Sequence, residues 1–242
     1  MLKIFKNEII KMVSSKKFYL LCAILIFSII LMGTIGHRIN ANNFALATLD
    51  GIVMKPIVPI FMVLVIAEVL TEDYSLGTMK FSLMTTIKKS DFIIGKLLFI
   101  ALYALIFMAI SFIFSYIVGT TIFGLGGKGD VLKTLVFNIK CYGVIILPLL
   151  SFCAMISLLA LLINNSGTMI GLGIGIVILS MLFIPLQENV IYFMPGGGMY
   201  AASYINKSGP HSIFLFAIVA VIYIIVFSFI SSLIINKKDI VQ

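Results

Sequence analysis

The sequence predicts an all-α integral membrane protein, and three observations predict it. Apolar residues make up 62% of the 242 and charged residues only 11%, whereas a soluble domain is nearer one half and one quarter. Several apolar runs reach the roughly 20 residues that a helix needs to cross a hydrocarbon core of about 30 Å. None shows the short alternating segments of a membrane β-barrel. The chain therefore reads as one transmembrane domain over residues 1–242, with six spans.

Residues 1–17 precede any span. Leu2, Phe5, Ile9 and Met12 recur at helical spacing while Lys3, Lys6 and Lys11 project elsewhere. This predicts an N-terminal amphipathic helix suited to the headgroup plane. The first span follows at about 18–35. It lacks a cleavage-site pattern and reads as a retained helix rather than a removed signal peptide. Residues 36–50, with His37, Arg38 and three asparagines, read as a polar loop. The second span covers about 52–70, with Pro56 and Pro59 bending it or setting its start. A polar connecting segment occupies about 71–96. The third span covers about 97–123, and Gly124–Asp130 is a glycine-rich turn. The fourth span is about 140–163, interrupted by Pro148. A turn at 164–167 leads to the fifth, about 168–184. A looser segment at 186–211 precedes the sixth, about 212–235.

Charge sets the expected orientation, because cytoplasmic loops gather lysine and arginine. With the N-terminus inside, Lys3, Lys6, Lys11, Lys16, Lys17, Lys80, Lys88, Lys89, Lys96, Lys237 and Lys238 face the cytoplasm. Arg38, Lys55, Lys128, Lys133, Lys140 and Lys207 then face outward, eleven against six. Both termini are expected in the cytoplasm. The same lysines suit anionic headgroups, so the basic balance points to lipid and not to nucleic acid. Cys22, Cys141 and Cys153 lie in or beside apolar runs without metal-ligand spacing and read as small hydrophobes. No polar stretch is long enough for a soluble ATPase or kinase domain, and no phosphate-binding loop motif occurs.

The most informative stretch is "TEDYSLGTMKFSL", residues 71–83. Thr71 can cap a helix whose first turn carries Glu72 and Asp73, at the positive end of its dipole. Leu76, Met79, Leu83 and Ile87 then fall on one helical face, with Ser75, Thr78, Ser82, Thr85 and Lys89 off it. Gly77 allows a bend between a short first helix and a second. An amphipathic helix of this kind either lies on the membrane or fills a groove in a partner. Periodicity alone does not choose between them.

This stretch resembles the permease subunits of ABC-2 type transporters. The matching residues are Glu72, Gly77, Thr78, Lys80 and Leu83, then Gly95 and Lys96 at the next span. The basic amphipathic start and the six-span layout fit the same family. The nearest likeness is to small Gram-positive exporters of bacitracin-like and lantibiotic-like peptides. The sequence departs in carrying "TTIKKS" at 85–90, where members often have a proline and an arginine. The resemblance implies a cytoplasmic coupling helix between the second and third spans. Its contact residues would be Glu72, Asp73, Leu76, Gly77, Thr78, Met79, Lys80, Leu83 and Ile87, docking on a separate ATPase chain. ATP and Mg²⁺ would bind there, leaving no cofactor in this chain. A second permease copy or a paralogue would complete the pathway in the bacterial plasma membrane. The resemblance also implies a re-entrant segment before the sixth span, while the composition of 186–211 equally suits a surface loop.

Other motifs have plainer readings. Gly167, Gly171 and Gly175, four apart, leave a groove for close helix packing. Glu68 is a carboxylate inside an apolar run. It reads as a hydrated structural acid, as part of the coupling region or as an ion site. His37 and His211 read as solvated side chains. An intramembrane enzyme would need paired acids or a nucleophile with its base, and no span carries such a pair. A self-contained carrier, or a non-transport membrane partner, is the alternative to the exporter subunit. Carriers often show internal repeats and midplane charge, and neither is evident here.

Overall fold

The structure, a computed structural model, describes residues 2–35, 40–72, 89–124, 131–183 and 213–237. In chain order the helices are α1 (Leu2–Ser14), α2 (Lys16–Ile35), α3 (Ala41–Thr48), α4 (Ile57–Ile66), α5 (Lys89–Phe123), α6 (Val131–Leu162), α7 (Ser166–Phe183) and α8 (Ile213–Lys237). Two π-helical segments, Leu49–Met54 and Ala67–Glu72, extend α3 and α4. No strand occurs among the described residues.

The protein is thus an all-α membrane protein. By length and composition, α2, α5, α6 and α8 can each cross a bilayer. The α3 and α4 halves form a pair bent by 41°, a fifth crossing if taken as one span. Ser166–Met181 of α7 is a shorter apolar helix. Where the sequence predicts six spans, the described residues hold four helices long enough to cross, one bent pair and one shorter apolar helix.

Three boundaries move for physical reasons. The expected polar loop at 36–50 contains α3, because Phe44, Ala45 and Leu49 are buried while Asn42 finds buried hydrogen-bond partners. The bend falls at Lys55, where the backbone is extended, and Pro56 stands at the N-cap of α4. Proline suits a first helical turn because its missing N–H is not needed there. The third span starts at Lys89, since Phe92, Ile93 and Lys96 already pack inside the bundle. Pro148 does not interrupt the fourth span, which runs unbroken from Val131. Buried Ile145, Leu149 and Phe152 hold the helix in place on either side of the proline.

The core forms around α4 and α5. Val58, Met62, Val63, Val65 and Ile66 of α4 are almost fully buried. Helix α5 touches α1, α2, α3, α4, α6 and α8 and is the hub of the bundle. Aromatic side chains run down it, with Phe99, Tyr103 and Phe107 meeting edge to face at 5.7 Å and 5.0 Å between ring centres. Helix α8 packs mainly on α6 and leaves Phe214, Ile222, Ile225 and Phe229 exposed, as suits a lipid-facing helix.

Lipid gives no hydrophobic drive between helices, so close approach matters. Gly33 of α2 lets Val118 of α5 within 2.7 Å of where a Cβ would stand. Gly119 of α5 does the same for Ala41 of α3 at 3.0 Å. On α7 the residue in contact is Gly173, whose added Cβ would collide with the Val63 side chain. Cβ atoms at Gly171 and Gly175 would meet nothing within 4 Å, and one at Gly167 only Asn165 Oδ1 at 3.3 Å. The expected groove of Gly167, Gly171 and Gly175 therefore takes no neighbouring helix among the described residues. A step of two residues turns about 200° around a helix, which puts Gly173 on the opposite side.

Gly173→Ala is expected to destabilise the purified protein by about 1–3 kcal/mol through overpacking. Val63→Ala in the same chain should restore most of that loss, and Gly171→Ala or Gly175→Ala should not lower the thermal unfolding temperature in detergent, since their added Cβ atoms meet nothing and alanine is the better helix former. Failure of the double variant to recover would mean that Val63 is not the obstruction.

Candidate functional site

Two polar clusters are buried at opposite ends of α5. The first forms where α1 crosses its base. Ile4, Glu8 and Met12 repeat every four residues, so they share one face of α1, and all three are buried. Phe5 and Ile9 pack beside them. The amphipathic helix is present as expected, but the inward face carries a carboxylate.

That carboxylate meets Lys96 of α5, which is 0% exposed. Lys96 Nζ lies 3.3 Å from Glu8 Oε1 and donates a hydrogen bond to the Val69 carbonyl. It also lies 5.1 Å from the centre of the Phe92 ring, one turn before it, within cation–π range. The Val69 carbonyl belongs to the Ala67–Glu72 segment that extends α4. Lys11 Nζ approaches the same Glu8 oxygen at 3.6 Å.

Neighbouring contacts widen the junction. Thr71 Oγ1 donates to the Ala160 carbonyl at 3.3 Å, joining the end of the α4 extension to the last turn of α6. Lys17 Nζ lies 3.4 Å from Glu68 Oε1, tying α2 to the same segment. Lys17 is exposed and Glu68 partly so, which leaves this pair weak. Five elements thus meet at one place: α1, the start of α2, the extension of α4, the base of α5 and the end of α6.

The second cluster, some 20 residues further along α5, joins α3, α5 and α6. Asn138 Nδ2 donates to the Asn42 carbonyl at 3.0 Å and to Tyr116 Oη at 2.7 Å. Tyr116 Oη donates to Asn42 Oδ1 at 3.2 Å, and Tyr142 Oη donates to the Ala45 carbonyl at 3.2 Å. Beside the bend, Lys55 and Asp50 pair at 2.8 Å.

Among the anticipated coupling residues, Glu72 ends the π-helical segment. Asp73, Leu76, Gly77, Thr78, Met79, Lys80, Leu83 and Ile87 lie outside the described residues, as do 186–211, with His211, and His37. Gly95 and Lys96 are both buried at the base of α5. Glu68 is a partly exposed, ion-paired acid. No group of three His, Cys, Asp or Glu side chains that could hold a metal occurs among the described residues. What the first cluster can do is mechanical: it holds five helix ends in one geometry.

Sequence reasoning missed the Glu8–Lys96 pair. Signals existed on both sides. Glu8 stands between Ile4 and Met12 on an otherwise apolar stripe, and Lys96 stands between Phe92 and Ile100 on another.

The family described as "Protein of unknown function (DUF2705)" matches residues 10–241 of the chain. No curated protein matches it.

Removing one partner of a buried ion pair leaves an uncompensated charge and costs about 3–5 kcal/mol. Glu8→Ala is therefore expected to destabilise the protein by that amount in detergent unfolding. Glu8→Leu combined with Lys96→Met, which removes both charges and keeps bulk, should lose much less. Equal losses in the single and double variants would show that the ion pair is not the source.

Proposed function

We propose that this chain, which belongs to the DUF2705 family, is the permease subunit of an ATP-driven ABC exporter. It moves an amphipathic or antimicrobial peptide out of a bacterial cell. ATP and Mg²⁺ bind on a separate ATPase chain, and a second permease copy or a paralogue completes the pathway. The chain sits in the plasma membrane with both termini in the cytoplasm.

One observation carries this reading. Residues 73–88, whose sequence carries the apolar ridge of Leu76, Met79, Leu83 and Ile87, leave from and return to the buried junction. Their upstream root is Thr71, hydrogen bonded to α6, and Val69, held by Lys96. Their downstream root is α5, whose Lys96 lies two turns past Lys89 and is paired with α1. A push on this segment therefore reaches α1, α4, α5 and α6 together. Rocking of packed helices against one another is how alternating access is produced in many carriers. In this reading the ATPase closes on its nucleotide, displaces residues 73–88, and the junction passes that displacement to the bundle.

The test is co-purification of the full chain with candidate ATPase chains from the same genome. Gly77→Asp or Leu83→Asp should abolish the complex and its peptide-stimulated ATP turnover, while the permease still reaches the membrane. Intact complex and turnover in both variants overturn the assignment. A self-contained carrier is distinguished in the same cells: peptide export should survive collapse of the proton gradient and stop when ATP is depleted. In a Lys80→Cys variant, the introduced thiol should react with a membrane-impermeant reagent only after permeabilisation.

A further inference from the structure

Helix α6 is longer than a bilayer needs. Its 32 residues end at Leu162. Counting back roughly 20 residues for one crossing reaches Tyr142 and Gly143. A crossing that ends at Leu162 puts Lys140 at headgroup level, with Lys133, two turns further out, about 10 Å above it. Helix α8 begins beside this point, at Ile213.

Between the two helices the surface opens into a cleft of about 420 Å³. Lys140 lies at its mouth, Gly143 and Leu147 form one wall, and Phe216 and Ala217 the other. A second hollow of about 360 Å³ shares Lys140 and runs outward to Lys133. The lower volume falls within the roughly 300–1,000 Å³ of small-molecule sites. The residues follow a helical face: Lys133, Lys140 and Leu147 are seven apart, and Gly143 lies one turn beyond Lys140. A Cβ at Gly143 would meet nothing within 4 Å, so the missing side chain leaves the cleft open. Neither α6 nor α8 contains an Asp or Glu.

We propose that this cleft is a binding site for an anionic phospholipid. The headgroup phosphate pairs with Lys140, with Lys133 adding positive potential, and one acyl chain lies over Gly143 between Leu147 and Phe216. Charge and polarity order the ligand in the same direction as the membrane does. The cationic end is at the headgroup level, and the apolar end runs toward the hydrocarbon. A soluble anion would use the lysine and leave the cleft empty. A zwitterionic lipid brings its own cation to a site whose two walls offer no carboxylate. This inference does not rest on the transport reading.

The test uses the full chain, purified in detergent and stripped of lipid. Dioleoyl phosphatidylglycerol, dioleoyl phosphatidylcholine and glycerol 3-phosphate are titrated, and bound adducts are counted by native mass spectrometry. The phosphatidylglycerol adduct should form about fivefold more tightly than the phosphatidylcholine one, in keeping with one lysine acting near an anionic lipid surface. Lys140→Gln should remove that preference, Gly143→Leu should weaken both lipids by filling the cleft, and glycerol 3-phosphate should not compete. Lys6→Gln, on the exposed face of α1, should leave the phosphatidylglycerol preference unchanged. Equal retention of the two lipids, full phosphatidylglycerol binding by Lys140→Gln, or displacement by glycerol 3-phosphate each overturns the proposal. As a check independent of any variant, a phosphatidylglycerol with a photoreactive acyl chain should label the peptide containing residues 143–147 of the unmodified protein. Labelling confined to other helices also overturns it.

Discussion

An ammonium group with no solvent exposure must be neutralised where it lies, and Lys96 imposes that condition on this bundle. Its charge is met by Glu8 from α1, its spare proton by the Val69 carbonyl, and its flank by the Phe92 ring. Each partner belongs to a different stretch of chain or a different turn. Satisfying one side chain therefore fixes how α1 crosses the bundle and where the extension of α4 ends. A buried ion pair adds little net stability over an apolar substitute, but it penalises arrangements that separate the charges. We read Lys96 as a determinant of geometry more than of stability.

Away from that junction, sterics take over. Helices surrounded by lipid gain by close contact, and the bundle achieves it where small residues face large ones: Gly33 against Val118, Gly119 against Ala41, Gly173 against Val63. Helix α5 collects most of these contacts. At its far end the asparagine and tyrosine network does with neutral groups what Lys96 does with charge, joining α3 to α5 and α6. The long central helix is thus clamped at both ends by directional polar bonds, with less specific apolar packing between.

Composition and run length made the membrane class and most helix positions legible. They carry no information on which polar residue is buried, and that is where the reading failed. Asn42 looked like a loop residue because asparagine is costly in an apolar setting, yet Tyr116 and Asn138 supply its bonds from distant sequence. Lys96 looked like an interfacial lysine because the charge rule counts residues without seeing their partners. The glycine repeat at 167, 171 and 175 marks a periodic face, and spacing does not reveal what opposes it; among the described residues a Cβ at Gly171 or Gly175 meets nothing within 4 Å. Gly173, lying off that repeat, makes the contact. Pairings of this kind are set by residues nearly 90 positions apart, as with Glu8 and Lys96.

The two π-helical segments have an evolutionary consequence. A π turn arises where a helix holds one residue more than the α pattern needs, so it stores slack in the backbone. Leu49–Met54 and Ala67–Glu72 bracket the buried α4 on both sides. A single-residue deletion at either flank can relax to ordinary α geometry while Met62, Val63 and Ile66 keep their register against the core. Insertions and deletions among relatives should therefore collect at these two flanks, where chain length can drift without disturbing the interior.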